Sequence, residues 1–269
     1  MRISGEVKRP SGWLGVAVGL ACAGVGTFAS FDGTEIWFED QERGRPVVLL
    51  HGFAADANLN YVRSGIFDAL VDEGRRTIAM DFRGHGLSGK PHEPAAYAGD
   101  ALTRDVQALF DHLDLDGVAV VGYSMGARVA LRLGAIDPRV RKVVALGGGG
   151  ASSERGIDDQ PSFAAAFLAE DPEAIDDPLG RQFRRLADSI RADRAALAAC
   201  MRAPHSGVGD HLGGIAVPVL VIAGIDDDLA GDPRGLADRV ADGRAITVPG
   251  DHFGANAQPT LHRALLGFV

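Results

Sequence analysis

Short, continuously apolar and largely β-branched runs punctuate this chain at residues 47–50, 77–80, 118–121, 143–146, 219–223 and 245–248. A strand with no polar face has to be covered on both sides, and the architecture that does so is a mainly parallel sheet wrapped by helices. The intervening stretches have the helical period that this requires. Val62, Ile66 and Leu70 share one face before Gly74, and Leu102, Val106, Leu109 and Leu113 repeat the pattern after Asp100. Residues 28–38 read as an opening hairpin turning at Asp32-Gly33. The expected fold class is therefore α/β, a mostly parallel twisted sheet with helices on both faces.

The alternation stops between Gly147 and Gly214, where no strand-like run occurs and Leu179, Phe183, Leu186 and Ile190 keep a helical spacing. This segment reads as a helical cap inserted at about residues 150–213 into a single domain spanning 27–269. At 269 residues the chain suits one such domain, and no Ser/Gly-rich linker or internal repeat divides it. Residues 1–26 read separately, as a signal peptide or an N-terminal extension. Arg2, Lys8 and Arg9 precede an apolar run from residue 13 to 25 that is too short to span a bilayer comfortably. Localisation follows that choice: exported with a working signal, cytoplasmic without one.

A formal net charge of −9, with 36 acidic against 27 basic side chains, removes the clustered positive charge that nucleic-acid binding depends on. The two cysteines, Cys22 and Cys200, build no disulfide framework and no zinc spacing, and His205, Asp210 and His211 read as a solvated loop cluster. Gly84, Gly86 and Gly89 satisfy a GxGxxG pattern after a strand. A dinucleotide site needs that loop to open directly into a helix, which Pro91 and Pro94 oppose. No cofactor or metal is expected.

Gly122-Tyr123-Ser124-Met125-Gly126 joins an apolar run to a helical stretch. Glycine on both sides lets a serine occupy a sharp, strained strand-to-helix turn that pushes its oxygen outward. His252, in Gly250-Asp251-His252-Phe253-Gly254, follows the last expected strand. Three aspartates, Asp226, Asp227 and Asp228, follow the strand before it. Serine, carboxylate and imidazole thus arise in the chain order Ser, Asp, His, each just past the carboxyl end of a strand, the edge where open α/β sheets bind ligands.

From about Phe28 to Val269 these segments, together with His51-Gly52-Phe53 and the Asp81–Gly89 loop, resemble the α/β-hydrolase superfamily. The resemblance implies a cofactor-free serine hydrolase of esterase or lactonase type. Ser124 would be the nucleophile, His252 the base, and Asp227, the third residue after Gly224, the orienting acid. Backbone N–H groups of Phe53 and Met125 would be the oxyanion donors. It leaves His51 a structural role and makes Asp81–Gly89 a wall of the site. A serine nucleophile argues against dehalogenase and epoxide-hydrolase chemistry, which use an aspartate there. The expected partner is a small acyl substrate cleaved at an ester, thioester or lactone bond, by a monomer or small homo-oligomer. Carbon–carbon bond hydrolysis, cofactor-free haloperoxidase-like chemistry and non-catalytic ligand binding share the same framework. Phe163, Phe167, Leu168, Phe183 and Met201 of the cap would form an apolar pocket, although helical stripes of this kind also pack onto cores.

Overall fold

The computed structural model describes residues 23–148 and 161–269. Its strands are β1 (Ala23–Ala29), β2 (Glu35–Gln41), β3 (Pro46–Leu50), β4 (Arg76–Met80), β5 (Val118–Tyr123), β6 (Val140–Leu146), β7 (Val219–Gly224) and β8 (Gly243–Val248). They form one eight-stranded sheet in the order β1-β2-β4-β3-β5-β6-β7-β8. β1 and β2 are antiparallel, as are β2 and β4, and every later pairing is parallel. The fold is that of an α/β hydrolase, with the apolar runs of the sequence as its central strands.

Helices α1 (Ile66–Asp72), α2 (Ala101–His112), α3 (Met125–Ile136), α4 (Pro161–Leu168), α5 (Pro178–Ser189), α6 (Arg194–Arg202), α7 (Pro233–Ala237) and α8 (Pro259–Phe268) surround the sheet. Alternate residues of each strand feed two cores. Val48, Leu50, Val118 and Val120 pack on one face with α2, α3 and α6, whereas Val47, Leu49, Ala119 and Val121 pack on the other with α1 and α8. Removing nearly all of this apolar surface from water is the dominant stabilising term.

The structure departs from the sequence reading at three places. The opening strand starts at Ala23, inside the segment assigned to a signal or extension, and pairs with Gln41; residues 1–22 lie outside the described residues. The helix expected to include Val62 is broken. A wide five-residue turn, Asn58–Val62, ends at Ser64-Gly65, where Gly65 takes φ 81° before α1 begins. That left-handed step suits glycine and redirects the chain. β8 is not doubly buried, because it is the last strand of the sheet and only Val248 is fully covered. Helices α4 to α6 fill the chain between β6 and β7, though residues 150–160 of the expected cap lie outside the described residues. Among the described residues no helix is long and apolar enough to cross a membrane.

Candidate active site

Ser124 stands between the last residue of β5 and the first of α3, with φ 52° and ψ −110°. A non-glycine residue with positive φ costs about 1–3 kcal/mol and persists only where its surroundings enforce it. Here the enforcement is visible. The Ser124 N–H donates to the Leu146 carbonyl at 2.8 Å. A side chain on Gly122 would strike the Gly126 backbone, and one on Gly126 would strike the Leu50 carbonyl. Two glycines therefore let α3 start directly against the end of β3, holding Ser124 up at the carboxyl edge of the sheet.

His252 reaches the same edge from the loop after β8. Its Nε2 lies 3.0 Å from Ser124 Oγ, and its Nδ1 lies 2.9 and 3.0 Å from the two carboxylate oxygens of Asp227. An Nδ1–H donating to the carboxylate leaves the Nε2 lone pair to accept from the serine hydroxyl. Asp227 also accepts from the N–H groups of Leu229 at 3.1 Å and Ala230 at 2.8 Å. It is the buried member of its triplet, while Asp226 and Asp228 are exposed. The chain thus brings together residues 124, 227 and 252 in one continuous line of hydrogen bonds.

The loop after β3 forms the opposite wall. A Cβ built on Gly52 would lie 3.4 Å from Ser124 Cβ, so glycine permits this loop to approach the hydroxyl closely. Phe53 follows with its ring buried against Phe167 and Phe183. Met125 is the first residue of α3, where a backbone N–H has no acceptor within its own helix and the helix dipole favours negative charge.

His51 is not connected to Ser124 by any of these bonds. Its Nδ1 lies 2.7 Å from the Gly52 carbonyl and its Nε2 accepts from the Phe82 N–H at 3.0 Å. Burial pulls its pKa down to about 4, against the pull of the Gly52 carbonyl. The glycine-rich loop opens into turns, not a helix, and between Pro91 and α2 only the single 3-10 turn Pro94–Tyr97 forms. Gly86, with φ 48°, leaves room for the Asp81 carboxylate, which accepts from the N–H groups of Ala57 at 2.9 Å and Leu87 at 2.7 Å. That loop braces the site from behind.

A cavity of about 230 Å³ opens over Ser124 and His252. Phe183 and Leu186 of α5 cover it, Phe253 flanks it, and Asn60, Arg63 and Asn256 line its polar side. Of the other aromatic and aliphatic residues expected in the pocket, Phe163, Phe167 and Met201 are buried in the adjoining core and Leu168 is exposed. His205 binds the Cys200 carbonyl at 2.8 Å, and among the described residues no group of three His, Cys, Asp or Glu side chains could hold a metal ion.

Sequence reasoning missed the residues that hold these loops in place. Asn60 Oδ1 accepts the Gly52 N–H at 2.7 Å, and the Asn60 carbonyl accepts from Ser64 Oγ at 2.7 Å and Asn256 Nδ2 at 3.1 Å. Tyr123 Oη donates to the His252 carbonyl at 2.7 Å. Tyr123 lay within the serine motif and so carried a signal, whereas nothing local distinguishes Asn60.

Comparison with known proteins supports the fold. A family model described as alpha/beta hydrolase fold matches residues 45–201. The chain is 41% identical over 104 residues to the dihydrolipoyllysine-residue acetyltransferase component of the acetoin cleaving system of Pseudomonas putida, covering 38% of this chain and 26% of that protein. It is 40% identical over 123 residues to a non-heme haloperoxidase of Rhodococcus erythropolis, covering 43% of this chain and 41% of the other. The chain thus spans less than half the length of each of these two relatives. In structure it resembles the enol-lactonase of Burkholderia xenovorans LB400, with a TM-score of 0.73, 22% identity, and coverage of 90% and 99% of the two chains. With the family match extending from just before β3 through α6, and the sheet order and serine turn described above, the chain belongs to the alpha/beta hydrolase fold family.

Proposed function

We propose that the protein is a serine hydrolase that cleaves a small carboxylic ester, thioester or lactone through an acyl-enzyme on Ser124. The observation that carries this reading is the unbroken hydrogen-bonded line from Ser124 Oγ through His252 to Asp227, facing a cavity at the carboxyl edge of the sheet. His252 Nε2 takes the hydroxyl proton as Oγ attacks the carbonyl carbon. The oxyanion forms towards the Phe53 and Met125 N–H groups, donors of a kind worth about 10²–10³ in rate each. Collapse breaks the acyl–oxygen or acyl–sulfur bond, the leaving group recovers the proton from His252, and water repeats the cycle to release the acid. Asp227 holds the imidazole in the required tautomer and stabilises its cationic form. The helices between β6 and β7 act as a cap, with Phe183 and Leu186 limiting the substrate to a small group.

The test is labelling by a fluorophosphonate probe together with hydrolysis of p-nitrophenyl esters of graded chain length and of simple lactones. Both should occur in the native protein and vanish in Ser124→Ala. A folded native protein that neither labels nor turns over any ester would make it a binding module instead. The haloperoxidase similarity gives a second reading, transfer of the acyl group to hydrogen peroxide, so the same panel should be run with peroxide as the competing acceptor.

A further inference from the structure

We infer that the substrate carries a carboxylate, and that Arg63 is the residue that selects it. The inference rests on the serine-hydrolase reading and names the substrate class of that site. In a chain with 36 acidic and 27 basic residues, the cavity over Ser124 is lined, among the described residues, by no Asp or Glu and by one Arg or Lys, Arg63. Arg63 closes the wide turn Asn58–Val62, its N–H donating to the Asn58 carbonyl at 2.9 Å, so its backbone is fixed while its side chain stands at the cavity mouth. Among the described residues it forms no ion pair. The carboxyl that feels its charge is Asp56, whose pKa is raised by burial against the pull of the Leu59 N–H and Arg63.

The same wall offers a second donor. Asn60 Oδ1 is engaged by the Gly52 N–H, so the polar group this lining residue has left to offer is its NH₂. A guanidinium and an amide NH₂ carried by one turn suit the oxygens of a carboxylate. Phe53, Phe183, Leu186 and Phe253 of the same lining suit a short hydrocarbon stem. The lining around Ser124 thus combines donors that favour an anion with apolar groups that favour a hydrocarbon. The overall negative charge gives an anionic substrate no general attraction, so discrimination in its favour has to come from a local cation.

The experiment compares matched esters that differ in the carboxylate. On the acyl side the pair is mono-p-nitrophenyl adipate and p-nitrophenyl hexanoate; on the leaving-group side it is para-carboxyphenyl butyrate and para-tolyl butyrate. The ratio of kcat/KM, charged over neutral, is measured in the native protein, Arg63→Gln and Arg63→Lys. For at least one pair the ratio should fall about 5- to 10-fold in Arg63→Gln, the worth of a charge-assisted hydrogen bond discounted for exposure. Most of that loss should return in Arg63→Lys, and the effect should shrink at high salt. Ratios that stay the same in all three proteins for both pairs, with Ser124 still labelled by fluorophosphonate, overturn the carboxylate inference and leave the hydrolase reading intact. Absence of both labelling and turnover in the native protein overturns the hydrolase reading and the inference with it.

Discussion

Two buried groups of imidazole and carboxylate lie near one another at the sheet edge, and they differ in what their nitrogens and oxygens touch. In the His252–Asp227 group both ring nitrogens meet side chains, a carboxylate on one side and a hydroxyl on the other. In the His51–His85–Asp81 group the contacts are with the backbone. His51 lies between the Gly52 carbonyl and the Phe82 N–H, His85 Nδ1 is 3.0 Å from the Arg83 carbonyl, and Asp81 accepts two backbone N–H groups. Burial and ionisable chemistry are common to both. The first group is joined to a hydroxyl that can exchange a proton, while the second uses the same side chains to fix loops.

The largest expected effect would come from breaking the first group. Ser124→Ala and His252→Ala should each lower kcat/KM by about 10⁴-fold or more in ester assays, with thermal unfolding near that of the native protein. His51→Ala should reverse this pattern, lowering the melting temperature while leaving more activity than either of those changes. Asp227→Asn should lower kcat by about 10³–10⁴-fold, because an amide on Nδ1 favours the wrong tautomer. Asn60→Ala should reduce kcat about 10- to 100-fold with a smaller change in KM, since the Gly52 N–H loses the acceptor that positions the oxyanion loop. Asn60→Asp, which keeps that oxygen, should restore much of the loss.

The smallest effect concerns pH and separates the two groups most cleanly. Burial lowers the pKa of His51 to about 4 and, with the nearby His51 charge, that of His85 to about 3. Both therefore stay neutral in the folded protein while the unfolded chain takes up protons below about 6.5. Stability should fall by about 1.4 kcal/mol per pH unit for each histidine as pH drops towards 4. Asp81, whose carboxyl is raised to about 6 by burial and by Asp56, opposes them, because it is protonated first in the folded state and so loses stability as pH rises from about 4 to 6. Urea titrations between pH 4.5 and 7.5 should show a net acid-side decline that is shallower in His51→Gln by about one histidine's share.

The central strands were legible because a doubly covered strand cannot hide its composition: β3, β5 and β7 are apolar throughout and bounded by polar or turn-forming residues. Ser124 and Asp227 were legible because each follows such a strand within a few residues, and His252 because it stands in a glycine-flanked loop just past the final apolar run. Asn60 and Asn256 were not, since their hydrogen bond joins positions 196 residues apart and depends on the placement of the whole sheet. The break at Ser64-Gly65 escaped because the apolar spacing of Val62, Ile66 and Leu70 continues across it. The exposed position of β8 also escaped, because an edge strand of modest length has much the same composition as a covered one.

Asn60 receives bonds from the loops after β3 and β8, and Tyr123 ties the serine turn to the histidine loop. Among the described residues, none of these ties originates in the helices between β6 and β7, which contribute only surface to the cavity. The apolar cover of the cavity and the loops that carry Ser124, Arg63 and His252 are thus separately editable. Helices transplanted from another member of the family should reshape the apolar cover of the cavity without disturbing the hydrogen bonds that join residues 124, 227 and 252.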